Sequence, residues 1–477
     1  MILSSAPNIV VADMSSRSRP TLDHPVAVQT WAAWITTTIL LTMLGQLRII
    51  VRWTPTVIWG AVLLVSLASA ASAQQPTQDA GWQRFRGPNG SGSIANCDVP
   101  LPWSSSDVAW EVSLPGIGNA SPILSGDVAF ISGADPDSGE QHLHAVDIAS
   151  GQIKWHNTYQ SRKFPIHARS SFASSTPCVS DTALFFCWAN PESLMLVALR
   201  HDGSEIWRKD LGTYVSQHGF GGSPALFGET LVLVNSQDAE DLPEGVPPGQ
   251  SRVSAFDSLT GELLWETPRT TTRVCYSTPT LFTDPDAGPA LLFSNTGDGL
   301  YALSLQTGRV LWSQKVFSKR CVSSPLVVGD LAIGTEGEGG GGNKLVAVSI
   351  KPPQSVKFQV DRAAAYVPTP VVLGNLLFQW SDTGIVSCLE LPTGDVLWSK
   401  RIGGNASSSP VIAGDKLIGI AEDGTVTILS ATSEFREYGK VSLDEVCRAT
   451  PALSEHFILL RTQSRLICVA SPTASQL

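Results

Sequence analysis

An eleven-residue pattern, Ala-x-Asp-x-x-Thr/Ser-Gly-x-x-x-Trp, recurs along this chain. It stands in full as AVDIASGQIKW (145–155) and AFDSLTGELLW (255–265), and with local changes as ALSLQTGRVLW (302–312) and CLELPTGDVLW (388–398). A pattern that returns at a steady spacing marks supersecondary units that bury their apolar faces only against their neighbours. A second mark counts the units: a Ser-Pro or Thr-Pro step at Pro122, Pro177, Pro224, Pro279, Pro325, Pro370, Pro410 and Pro451. These eight steps lie 40 (410 − 370) to 55 (177 − 122) residues apart. That is the period of a four-stranded propeller blade, and too long for a leucine-rich or tetratricopeptide unit.

Each unit reads as short apolar runs broken by Gly, Asp and Asn turns. The first gives SPIL, the turn SGD, VAFISG, the acidic turn DPDSGE, HLHAVD, the turn ASG and finally QIKW, which is four strands and three turns. In the recurring motif Thr/Ser-Gly forms the turn between the third and fourth strands, where Gly supplies a positive φ at little cost. The Trp closes the outer strand. A large flat side chain repeated once per unit is expected to pack on the neighbouring blade, so Trp155, Trp207, Trp265, Trp312 and Trp398 read as docking residues rather than a ligand-stacking set. Truncating such a buried Trp costs on the order of 3–5 kcal/mol.

Two units are degenerate but keep an aromatic at this position: Phe358 ends SIKPPQSVKF and Tyr438 ends LSATSEFREY. The last unit runs out before any Trp, while DVAWEVSL (107–114) carries Trp110 with no earlier strands of its own. The ends therefore complete each other. The expected fold is an all-β, eight-bladed propeller of four-stranded antiparallel blades over residues 107–472, its ring closed by the N-terminal strand joining the last blade. Residues 74–106 form an entry segment and 473–477 a tail.

The repeat resembles the tryptophan-docking motif of the pyrroloquinoline-quinone-like propeller family, across roughly residues 82–470. That family includes quinoprotein alcohol dehydrogenases and a non-enzymatic lipoprotein of outer-membrane protein assembly. The opening WQRFRGPNGSG (82–92) looks like the entry segment of exported members. The resemblance speaks for the fold; activity must be argued from a site.

The segment from Trp53 to Ala73 has no charge, follows Arg48 and Arg52, and ends in Ala71-Ser72-Ala73, which signal peptidase accepts. Residues 1–73 are therefore expected to be a signal peptide, with Met43 a better-proportioned start, or else an N-terminal membrane segment that includes the apolar run 31–45. The lipoprotein of the resemblance needs a Cys directly after its signal, whereas the first Cys here is Cys97, which argues against a lipid anchor. The formal net charge is −10, and an acidic surface excludes nucleic acid as the expected partner.

Cys178 and Cys187 flank a predicted hairpin, which leaves open a disulfide or two buried thiols. Cys275, Cys321 and Cys447 each precede a Ser/Thr-Pro proline by four residues (279 − 275, 325 − 321, 451 − 447), so they occupy equivalent points of three blades and read as small packing residues. The same part of the repeat gathers His167, Arg169, His218, Arg273, Tyr276, Lys319, Arg320 and Arg448. Equivalent loops converge on one face of a propeller. These residues, led by His167, Arg169, His218, Arg273, Tyr276, Arg320 and Arg448, form a candidate funnel for an anionic small molecule or acidic peptide, against the alternative of solvated loops and salt bridges between blades.

Other motifs carry less. His142, His144 and His156 could share a metal but, without a carboxylate cluster, read as plain surface. The turns 135–140 and 284–289 lack a full calcium-loop pattern, and GTEGEGGGGNK (334–344) is a hairpin loop without the Ser or Thr of a phosphate cradle. The stretch 236–251 lengthens the third unit as an insertion that contacts partners or simply moves.

Two functional classes remain. The first is an exported, non-catalytic scaffold, periplasmic or extracellular and a monomeric ring, that binds protein or peptide partners in the cell envelope through blade edges and face loops and needs no cofactor. The alternative is a quinoprotein dehydrogenase using pyrroloquinoline quinone and calcium. The chain lacks the adjacent Cys pair and long inserted loops that the resemblance would then require, and Asn119 and Asn405 alone do not make a calcium site. No catalytic, cofactor-binding or metal-ligating residue is assigned.

Overall fold

The computed structural model describes residues 81–339 and 341–472. The signal or membrane segment expected over residues 1–73 and the tail lie outside these. The described strands form eight sheets, one per repeat. Seven have four antiparallel strands, and the seventh blade gains a fifth, Ser93–Ile94, parallel to its innermost strand Val411–Ala413. In blade one the strands are Ile123–Ser125, Val128–Ala134, Gln141–Asp147 and Ile153–Tyr159, as the sequence predicts. The ring closes as expected too: Val108–Ser113 pairs with Arg465–Ala470 as the outer strand of the last blade.

Burial follows from blades packing face to face. Middle strands are covered on both faces, so Val128–Ala134 and Leu331–Glu336 read as nearly continuous apolar or small runs, all but Val128 buried. Outer strands have one face on a neighbour and one in water, so Val108–Ser113 alternates strictly.

The docking motif has a geometric cause. Wherever the motif keeps its glycine, the aromatic of one blade lies on the turn glycine of the next: a Cβ on Gly151 would stand 2.6 Å from the Trp110 ring, one on Gly308 2.4 Å from Trp265, and one on Gly394 2.3 Å from Phe358. Glycine is thus needed twice, for its φ of +67° to +80° at Gly151, Gly308 and Gly394 and for the space the ring takes. The indole N–H then donates to a carbonyl of the same turn, Trp110 to Ile148 at 2.7 Å, Trp155 to His201 at 2.8 Å, Trp207 to Ser258 at 3.1 Å and Trp265 to Leu305 at 2.9 Å. Asp and Thr of the motif fasten the turn: Asp257 Oδ1 accepts from the Thr260 N–H at 2.8 Å and its hydroxyl at 3.1 Å. Where the next blade lacks the glycine the bond is lengthened or lost. Trp312 faces degenerate blade five and its buried Nε1 has no partner. Trp398 reaches Thr432 O at 3.3 Å and packs edge-on against Phe435. Tyr438 is flanked instead by Lys416 and Arg436, each 4.6 Å from its ring centroid.

All eight cysteines are free and seven are buried. Cys178 pairs in register with Phe185 and Cys187 with Leu196, so the two thiols are not opposite one another and the disulfide alternative falls away.

Candidate functional site

The Ser/Thr-Pro step builds the propeller's axis. Its hydroxyl accepts from the backbone N–H of the equivalent residue in the preceding blade: Ser121 N to Thr176 Oγ1 and Thr176 N to Ser223 Oγ, both 3.0 Å, Thr278 N to Ser324 Oγ at 3.0 Å, and Ser324 N to Thr369 Oγ1 at 2.9 Å. Thr369 N continues to Ser409 Oγ at 3.0 Å and Ser409 N to Thr450 Oγ1 at 3.1 Å, before Thr450 returns to Ser121. These buried hydroxyls satisfy N–H groups that the converging inner strands would leave orphaned.

The entry segment closes one side of this ring. Arg86 donates to the carbonyls of Pro370 at 2.8 Å and Pro410 at 3.0 Å, and Arg84 to that of Pro279 at 2.6 Å while lying 5.0 Å from the Phe227 centroid. Both guanidiniums are buried away from any carboxylate, and burial lowers their pKa to about 9 for Arg86 and about 10 for Arg84. Phe85, between them, lines an axial cavity of about 300 Å³ walled by Ser/Thr of the ring.

The predicted funnel residues divide. His167, Arg169, His218, Tyr276, Arg320 and Arg448 all line this cavity, brought together from five blade-entry loops. Arg273 does not; it pairs with Asp241 at 2.7 Å. Lys319 is drawn off to Glu338 at 2.6 Å. His167 and His218 stack with centroids 5.1 Å apart. Arg320 donates to His218 Nε2 at 3.1 Å, which leaves the imidazole proton on Nδ1. Burial, then the charge of Arg320, pushes the His218 pKa down to about 4. Tyr276 donates to Gly219 O at 3.0 Å, and burial raises its phenol well above the usual range.

The funnel is not purely basic. Glu422 stands 3.4 Å from Arg448 and 3.8 Å from Arg169, and buried Asp238 lies 3.7 Å from Arg320. These acids sit behind the cations rather than among the lining residues. Asp238 comes from the insertion 236–251, whose root is fixed: its carboxylate accepts from Val274 N at 2.7 Å and Gln217 N at 2.9 Å. Three buried nitrogens of lining residues, Arg320 Nε, Arg448 Nε and His218 Nδ1, have no hydrogen-bond partner.

Phe85 and Tyr366 complete the lining and were not foreseen. A signal existed for Tyr366, which precedes Pro370 by four residues (370 − 366), the offset shared by Cys275, Cys321 and Cys447. Cys275 and Cys321 are in contact there, the Cys321 N–H donating to Cys275 Sγ at 3.3 Å. The three histidines expected at the surface do come together, but His142 and His144 are buried and only His156 is exposed.

The sequence model of outer membrane protein assembly factor BamB matches residues 101–214, 249–352 and 342–434. A BamB of Yersinia pestis is 25% identical over 256 residues, covering 48% of this chain and 59% of the relative, so the match spans about three-fifths of that protein's length. Among solved structures, BamB from Moraxella catarrhalis superposes with a TM-score of 0.56 at 14% identity, covering 76% of this chain and 96% of its own. A europium-containing methanol dehydrogenase gives 0.60 at 11% identity, covering 80% and 90%. At such identities these structures share the fold alone.

Proposed function

Because this chain belongs to the outer membrane protein assembly factor BamB family, we propose that it is an exported, non-catalytic propeller that binds protein partners during assembly of the outer membrane. The observation that carries this reading is the make-up of the axial cavity. Its charged lining residues are Arg169, Arg320 and Arg448, backed by hydroxyls of the Ser/Thr ring, with no Asp or Glu among the described residues that line it. Such a surface docks an anionic group, and an acidic side chain or C-terminal carboxylate of a partner segment fits it through charge-assisted hydrogen bonds.

The quinone-and-calcium alternative fits less well. Calcium takes about six to eight oxygen ligands, carboxylates prominent among them. The one amide lining the cavity, Asn119, donates to Arg169 O at 3.1 Å. The acids nearest the cavity are engaged: Glu422 accepts from Ser407 at 2.6 Å and Asp382 from Tyr366 N at 2.7 Å.

Deletion of the gene in its own host, with assembled outer-membrane proteins quantified, tests the reading. We expect their level to fall and to be restored by the wild-type gene but not by the Arg320→Gln/Arg448→Gln double variant. Unchanged levels after deletion would overturn the assembly role. Full rescue by a folded double variant would overturn the cavity as its docking site.

A further inference from the structure

Three histidines of blade one meet beside the seam where the ring closes. His142 and His144 lie two apart on Gln141–Asp147, and His156 is the direct cross-strand partner of His144 on Ile153–Tyr159. The period-two alternation of a strand puts all three on one face. One ring nitrogen from each lies within 4.8 Å of the others. The rings are stacked, with centroids 5.0 Å apart for His142 and His156 and 4.7 Å for His144 and His156.

A buried imidazole needs partners for its polar atoms, and these are incompletely supplied. His142 and His144 are only 7% and 0% exposed. His144 Nε2 stands 3.1 Å from the Pro115 carbonyl. A carbonyl only accepts, so the proton sits on Nε2 and leaves a lone pair on Nδ1, which is buried without a partner. His142 Nδ1 lies 2.8 Å from His156 Nε2, and His142 Nε2, also buried, has no hydrogen bond, with Glu140 Oε1 3.9 Å away. An imidazole whose far N–H is held by a carbonyl is the outer-shell arrangement that orients a histidine for a metal.

We propose that His142, His144 and His156 form a binding site for a divalent transition-metal ion of the zinc class, entered from the exposed side of His156. Three imidazoles with an open fourth position suit zinc, and imidazole also suits copper and nickel. Burial and the neighbouring histidines hold His144 at a pKa of about 3 and lower that of His142, so both rings are neutral, the form that ligates, at ordinary pH. The facing charges oppose one another: Glu140 and Asp135 favour a cation at His142, while buried Arg461 of the last blade disfavours one at His144. The ion ties the third strand of blade one to its outer strand, in the blade on which Trp110 of the last blade docks.

Tag-free protein titrated with zinc by calorimetry, and with cobalt(II) by visible absorption, tests the site. Wild type should take up one equivalent of zinc, gain thermal stability from it and show cobalt d–d bands. His156→Ala changes an exposed residue and should fold while weakening zinc by about tenfold or more and losing the thermal gain. His156→Gln, which keeps the side chain's bulk, should do the same. His218→Ala disrupts the separate stacked pair and should leave zinc binding unchanged. Failure of the wild type to bind zinc, binding that survives both His156 variants, or binding lost in His218→Ala would overturn the proposal.

Discussion

The backbone N–H of Thr450, in the last blade, donates to the Oγ of Ser121, in the first, at 3.0 Å. Residues 329 apart in sequence thereby join the axial run of hydrogen bonds that leads from blade four through blade eight and on to blade three. Velcro-like pairing of Val108–Ser113 with Arg465–Ala470 closes the ring at its rim, and this bond closes it at the axis.

Ser121→Ala should cost about 1–3 kcal/mol, because it leaves the buried Thr450 N–H without an acceptor. Ser121→Thr restores the hydroxyl and should recover most of the loss. Chemical denaturation of both variants, read at constant m-value, checks the pair. Equal stability of Ser121→Ala and wild type would show that this axial bond adds nothing to stability.

Gly308→Ala should destabilise by about 2–4 kcal/mol, since a non-glycine at positive φ costs about 1–3 kcal/mol before any clash is counted. Here the new methyl would also stand 2.4 Å from the Trp265 ring at a φ of +67°. Gly126→Ala is the control. It shares a positive φ of +58° but has nothing within 4 Å of the new methyl, so the difference between the two variants reads the docking contact alone. Similar losses in both would assign the effect to backbone conformation.

The recurring motif made blade number, strand order and ring closure legible, because each depends on local turn chemistry repeated at a fixed spacing. Trp110, Phe358 and Tyr438 could be placed from that spacing even where the motif decays. The cavity was legible in its loops but not in its charge. Glu422 and Asp238 neutralise the arginines from strand ends in other blades, and nothing in the local pattern around Arg320 or Arg448 announces them. The role of WQRFRG stayed hidden for a similar reason. Arg84 and Arg86 satisfy prolyl carbonyls about 200 to 320 residues away, a relation set by tertiary placement alone. The surface reading of His142 and His144 failed because residues distant in sequence cover them: His144 meets the Pro115 carbonyl and lies beside buried Arg461 of the last blade.

His218 should titrate near pH 4, below its ordinary value of 6.5. Its surroundings set the sign: burial, Arg320, His167 and Arg273 disfavour the imidazolium, and Asp238 favours it more weakly. A ring kept neutral in the fold contributes stability that is present above pH 6.5 and is lost as pH falls towards 4. Imidazole NMR shifts followed through this range, with His218→Asn for assignment, check it. A midpoint near 6.5 would mean that neither the burial of His218 nor its contact with Arg320 persists in solution.

The proposed role, binding rather than catalysis, is tested most directly by offering the protein the cofactor of the dehydrogenases. The purified protein should be titrated with pyrroloquinoline quinone and calcium while quinone absorbance and dye-coupled alcohol oxidation are followed together. No turnover and no calcium-dependent, stoichiometric uptake are expected. Stoichiometric uptake accompanied by alcohol oxidation would contradict that role and make the axial cavity an active site.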